Sequence, residues 1–175
     1  APGLTSFDIS GYDRLQPSTL LAVGSSCRGL THLSLAEAEC VTDDCLTTLL
    51  SLCPRMASID LSWCGEISSA CVNKLLGGWE ALHTLELHGC EALMVDSLSF
   101  SPSPPLIRVD LSRSGWGGDG EGGLPLSSLA GCSTLQHLNL GWLTEAVTDE
   151  LASMLLSTLP QVGSCAWGQM PDGSL

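Results

Sequence analysis

The 175-residue sequence predicts an α/β solenoid, a horseshoe with a concave parallel sheet of about seven short strands and helices on its convex side. Three observations predict it. A pattern of three aliphatic positions, spaced three and then two residues apart, recurs seven times. Successive copies start 26, 26, 26, 24, 29 and 27 residues apart. Between copies, apolar residues return at helical spacing behind a capping hydroxyl.

The strand pattern begins as Leu4-Phe7-Ile9, Leu30-Leu33-Leu35, Met56-Ile59-Leu61 and Leu82-Leu85-Leu87. It continues as Leu106-Val109-Leu111 and Leu135-Leu138-Leu140, and closes on a degenerate Val162-Cys165-Trp167. Strands are therefore expected near residues 4–9, 30–35, 56–61, 82–87, 106–111, 135–140 and 162–167. The second and third aliphatic positions are two apart, so they face one side of a strand and the residue between them faces the other.

Helices are expected after the strands. Thr42 can cap one of them, Asp43 and Asp44 suit its positive end, and Pro54 stops it. Cys45, Leu46, Leu49, Leu50 and Cys53 form its apolar stripe. The same frame returns at Ile67-Ser68, Cys71-Val72, Leu75-Leu76 and Trp79, and again at Val147-Thr148, Leu151, Leu155-Leu156 and Leu159-Pro160. One unit cannot bury its own apolar face, so the core comes from stacking, and residues 1–175 read as a single domain.

Two units depart from this frame. The run Ser99-Phe100-Ser101-Pro102-Ser103-Pro104-Pro105 leaves little room for a helix, and an extended or turn-rich segment is expected there. Gly115 to Gly123 reads as a flexible loop, followed by a shortened helix near Pro125 to Ala130. The tail from Gly168 onward reads as loop. Because the sequence opens on Ala1 rather than a methionine, it is expected to be a processed or excised piece of something longer.

Strand, then Cys, then Ile/Val-Thr/Ser, then a helix ending in Cys-Pro resembles the cysteine-containing leucine-rich repeats, known best from F-box proteins and their relatives. Cys64 and Cys90 fall three residues after the last strand leucine, at the family's cysteine position, and Cys40 fits after a short insertion. Cys27, Cys53 and Cys132 fall three residues before the next strand. The resemblance covers nearly the whole chain. It implies a leucine-rich-repeat solenoid that binds other proteins.

Composition narrows the partner. Hydrophobic residues make up 44% and charged residues 14%, an ordered and well-buried balance. Nineteen acids against six bases give a net charge of −13. That argues against a nucleic-acid backbone or an anionic membrane surface and suits a basic protein surface. No apolar run approaches the length of a membrane-spanning helix, and no signal peptide is visible.

Nine cysteines, an odd number without any CxxC, read as buried thiols in narrow core positions rather than as a zinc module, which implies a reducing compartment. No metal or cofactor is expected. The histidines His32, His83, His88 and His137 lie on different strands, and Asp119 and Glu121 lack the oxygen spacing of a calcium loop. No GxSxG, HExxH or phosphate-binding loop occurs, so catalysis has no supporting motif.

The concave face is the candidate binding surface. The outward residues of successive strands are Asp8, Ser34, Asp60, Glu86, Asp110 and Asn139. With parallel strands about 4.8 Å apart, Asp60, Glu86 and Asp110 should form a ladder of neighbouring carboxylates, which raise one another's proton affinity. Arg108, and with it Arg113, is expected to offset part of that charge. Further along the strands come His88 and then, at the rim, Trp63 and Trp142. With His32 and His137 these make an acidic, tryptophan-edged surface for a basic or arginine-bearing partner protein.

The resemblance implies the substrate-recognition repeats of an F-box-type ubiquitin ligase receptor, whose ligase adaptor would be bound through a region not present here. The alternative is a structural or assembly subunit of a ciliary or mitochondrial complex. Either reading places the protein inside the cell, in the cytoplasm or nucleus, or in the mitochondrion or cilium.

Overall fold

The computed structural model describes residues 3–12, 14–102, 104–115, 126–143 and 147–166. Within them runs one parallel sheet of seven strands in sequence order. Its strands are β1 (Ser6–Asp8), β2 (His32–Ser34), β3 (Ser58–Asp60), β4 (Thr84–Glu86), β5 (Arg108–Asp110), β6 (His137–Asn139) and β7 (Ser164–Ala166). Four α-helices flank it: α1 (Pro17–Ser26), α2 (Asp43–Leu52), α3 (Ser69–Gly78) and α4 (Asp149–Thr158).

Register follows the repeat without a slip. Phe7 pairs with Leu33, Leu33 with Ile59, Ile59 with Leu85, Leu85 with Val109 and Val109 with Leu138. The paired strands are three residues long, shorter than the six-residue spans the pattern suggests. The first aliphatic residue of a unit sits in a turn instead, as where the Leu30 N–H donates to the Cys27 carbonyl at 2.9 Å. The last one continues the ladder into the neighbouring unit: Leu35 N–H donates to the Asp60 carbonyl at 2.8 Å. All three aliphatic positions are buried in every unit from Leu30 to Leu140. Burying a leucine contributes about 1.5–3 kcal/mol, and stacked units share that burial.

Helices α2, α3 and α4 start where the hydroxyls stand, whereas α1 starts at Pro17 after Gln16. Thr42, Ser68 and Thr148 each accept a hydrogen bond from the backbone N–H three residues on. The Asp43 carboxylate also accepts from the Ser68 N–H at 2.9 Å, tying one cap to the next. Cys45, Leu46, Leu49 and Cys53 are buried as one stripe, with Leu50 partly buried beside them.

Among its described residues the fourth unit has no α-helix, as the proline-rich run suggests, and holds a 3-10 turn at Val95–Ser97. Helix α3 supplies what the missing helix would. Ser69 Oγ donates to the Met94 carbonyl and accepts from the Met94 N–H, while Asn73 donates to the Ser97 carbonyl and accepts from the Ser99 N–H. In the fifth unit the expected short helix is a 3-10 turn at Ser127–Gly131. The expectations for residues 116–125, which include Asp119, Glu121 and Pro125, and for Trp167 and the tail lie outside the described residues.

The cysteines occupy two columns. Cys64 Sγ donates to the Leu35 carbonyl at 3.3 Å and Cys90 Sγ to the Leu61 carbonyl at 3.1 Å. Ser114 stands at the same phase in the next unit and donates to the Leu87 carbonyl at 2.6 Å. Each of these three side chains thus returns a donor to the unit before, and burial pushes the Cys64 thiol up to about 12 and that of Cys90 to about 11. In the second unit the position belongs to the buried Ala38, not to Cys40. The Ala38 N–H donates to the Leu35 carbonyl at 3.1 Å, as the Cys64 N–H does to the Leu61 carbonyl at 3.1 Å. The second column, Cys27, Cys53 and Cys132, closes the C-terminal ends of the helical segments, where Trp79 and Leu159 stand in other units. None of the nine cysteines is in a disulfide.

Candidate functional site

The outward residues of the strands line up across the sheet. Asp8 is opposite Ser34, Ser34 opposite Asp60, Asp60 opposite Glu86, Glu86 opposite Asp110 and Asp110 opposite Asn139. Most of these side chains have a local task. Asp8, Asp60, Asp110 and Asn139 each accept, through Oδ1, the backbone N–H two residues on, at 2.9–3.0 Å. Such turns are what Asp and Asn do well at the end of a strand. Neighbours then tie the row together. Ser34 Oγ donates to Asp60 Oδ2 at 3.1 Å, and Asn139 donates to Asp110 Oδ2 at 2.8 Å.

Glu86 is the exception. Its longer side chain closes no turn, and its nearest charged partner is Arg108, with Nε 3.9 Å from Oε1. Only 25% of the Glu86 side chain is exposed. Burial, with Asp110 and Asp60 adding to it and Arg108 opposing, pushes its carboxyl up to about 7. Asp8 behaves in the opposite way: hydrogen bonds from Ser10 lower its carboxyl below the usual range.

The rim is built by a second column. Gly11, Glu37, Trp63, Gly89, Arg113 and Trp142 stand at one phase of successive units, and all have positive φ, from 58° to 70°. The left-handed conformation turns the chain out of the strand, and four of the six residues carry a long side chain there. Trp63 and Trp142 are 43% and 54% exposed. Arg113 lies between them, its guanidinium carbon 5.3 Å from the Trp63 ring centroid and 5.4 Å from that of Trp142.

Arg113 thus does not neutralise the acidic row, as the sequence suggests for it. Among the described residues, the only ion pair is that of Arg108 with Glu86. The backbone turn at Arg113 carries its side chain to the rim, where two indoles hold it.

The histidines do not converge. His88 meets Trp63 edge-on at 5.0 Å and shares a 2.6 Å hydrogen bond with Ser112 Oγ. His137 bonds Ser164 Oγ at 2.6 Å beside a shallow concave depression lined by Arg108, Asp110 and Asn139. His32 turns to His83, with ring centroids 6.2 Å apart. Among the described residues no helix is long and apolar enough to cross a membrane.

Sequence reasoning missed Gly89 and the rim column as a unit. The signal was present, because Gly11 and Gly89 recur at the phase of Trp63 and Trp142, but that phase carries no aliphatic residue and so escapes a search for core periodicity.

No family model matches the sequence, and no characterised protein matches it by sequence comparison. Solved structures do match its fold. The leucine-rich repeat-containing protein LegL7 of Legionella pneumophila is 16% identical, with a TM-score of 0.53 over 97% of this chain and 56% of that one. A chain of the yeast Rad7 and Elc1 complex is 13% identical, with a TM-score of 0.36 over 99% of this chain and 66% of that one. The chain thus spans a little over half the length of LegL7 and about two thirds of the yeast chain. With its seven parallel strands in sequence order and its convex helices, it has the leucine-rich-repeat solenoid fold.

Proposed function

We propose that this chain is a protein-recognition module whose concave face takes a basic surface of a partner protein. The observation that carries this reading is the in-register row Asp60, Glu86 and Asp110, in which the middle carboxylate is half-buried and has only a distant cation. A desolvated acid without a close counter-charge is a cost the folded chain bears by itself, and a partner's arginine or lysine relieves it. The net charge of −13 steers the same class of partner to the surface. Asp8, His32, Trp63, His88, Arg108, Arg113, His137 and Trp142 complete the proposed contact surface. Within this reading, the phasing of Cys64, Cys90, Cys27, Cys53 and Cys132 favours the substrate-recognition repeats of an F-box-type ubiquitin ligase receptor.

The test is a pull-down with the whole chain against its Asp60→Asn/Glu86→Gln/Asp110→Asn variant, followed by kinetics on the captured protein. Association with the variant should be slower and less salt-dependent, because exposed charges act over about 8 Å at physiological ionic strength and mainly on the on-rate. Equal affinity and equal salt dependence would reject the concave strip as the contact surface.

A further inference from the structure

We propose that Arg113, clamped between Trp63 and Trp142, is a second and opposite-signed contact that takes a carboxylate side chain of the same partner protein. The proposal rests on the concave-face reading above and adds a charge pattern to it: the partner brings a base to the strip and an acid to the rim.

The geometry carries this in three steps. First, the guanidinium carbon lies 5.3 Å and 5.4 Å from the two indole centroids, so indoles flank it and what it has left to offer is an edge of N–H donors. That edge is a fork of N–H donors with the spacing of a carboxylate. No carboxylate among the described residues lies within ion-pair distance of it.

Second, the clamp excludes the opposite occupant. Two exposed tryptophans above an acidic row would otherwise form a cage for an ammonium group. Arg113 already fills the space between them, and its charge repels a second cation. Trp63 is further committed by its contacts with His88 and with the Cα of Gly89.

Third, the clamp is preorganised. Trp63, Arg113 and Trp142 all stand in the left-handed conformation at the same phase of their units. A side chain already held in place loses little freedom when a partner arrives, and tryptophan and arginine dominate contact energies for that reason. Arg113 follows Asp110 by three residues, so the backbone at rim and strip is separated by at most about 10 Å. One short segment of a partner spans that distance.

The experiment pans a random-peptide display library on the immobilised whole chain. Selected peptides are then measured on the wild type, on Arg113→Lys, on Arg113→Gln and on the triple strip variant. The expected peptides carry an acid and a base. Arg113→Lys and Arg113→Gln should each weaken them by about tenfold, and removing the peptide's acid should cost nothing further on either variant. Far-ultraviolet circular dichroism confirms that both variants are folded, which the exposure of Arg113 favours. Peptides that lack an acid, or that bind Arg113→Lys as tightly as the wild type, overturn the carboxylate fork. A loss confined to the Arg113 variants, with the triple variant binding normally, rejects the concave-strip reading instead.

Discussion

The Trp63 ring lies across the Cα of Gly89. A Cβ on residue 89 would stand 2.5 Å from Trp63 Cε3 and 2.6 Å from Cδ2, inside the body of the indole. Gly89 also has φ +70°, which L side chains adopt at a cost. Gly89→Ala should therefore destabilise the protein by about 1–3 kcal/mol and lift Trp63 away from His88 and Arg113. Urea unfolding and tryptophan emission measure the two effects. Unchanged emission would mean that the indole does not rest on Gly89.

Glu86 makes stability depend on pH in a direction its raised carboxyl fixes. The folded chain holds the Glu86 proton up to about 7, whereas the unfolded chain releases it near 4.5. The folded state thus binds more protons between those values, and the contribution of Glu86 is full below the lower value and lost as pH rises through the upper one. Glu86→Gln should remove this decline and raise stability above pH 7 by about 1–2 kcal/mol once solvent screening is included, with little change near pH 4. Denaturant midpoints for the two proteins across that range test it. A variant that is less stable above pH 7 would mean that Arg108 outweighs burial at this site.

Ionisation of Glu86 also strengthens the acidic row. Binding of a basic partner should tighten as pH rises through about 7, and this increment should vanish in Glu86→Gln. Affinities of both proteins for one captured partner below and above neutrality measure the increment. The same increment in both proteins would place the titrating group elsewhere.

The cysteines should remain thiols. Seven of the nine are buried, Cys40 and Cys165 are partly exposed, and none is in a disulfide. A thiol reagent should modify at most these two quickly in the native protein and all nine after denaturation. Cys64, Cys71 and Cys90 should be the slowest class, since burial holds their thiolates out of reach at neutral pH. Fewer than nine thiols in denatured, unreduced protein would reveal disulfides.

Stacking predicts tolerance to the loss of a whole unit. Deleting residues 56–81 joins Arg55 to Leu82, which takes over the place of Met56 at the start of a unit. Both leucine-phase residues are fully buried and the register is continuous on either side. The shortened chain should unfold cooperatively at lower denaturant, since each unit contacts mainly its neighbours. A chain with no cooperative transition would show that the solenoid depends on this unit as a nucleus.

By itself the sequence determined the period, the inward-facing aliphatic residues, the capped starts of α2, α3 and α4 and the missing helix of the fourth unit. Each of these is a local matter. Side-chain alternation, a hydroxyl before a helical stripe and a proline run act within a few residues of chain. The sequence also placed Asp60, Glu86 and Asp110 side by side, because each holds the same phase of the strand pattern in successive units.

What only the tertiary structure decided is what those residues do to one another. Asp60 and Asp110 close turns through the backbone N–H two residues on, while Glu86, one carbon longer, is left to share Arg108 at 3.9 Å. Arg113, three residues from Asp110, is carried to the rim by a left-handed turn and held by indoles from residues 63 and 142. These partners come from different units, and their meeting depends on backbone conformation and side-chain reach across the sheet. The repeat sets which residues become neighbours; the turn after each strand sets where their side chains go.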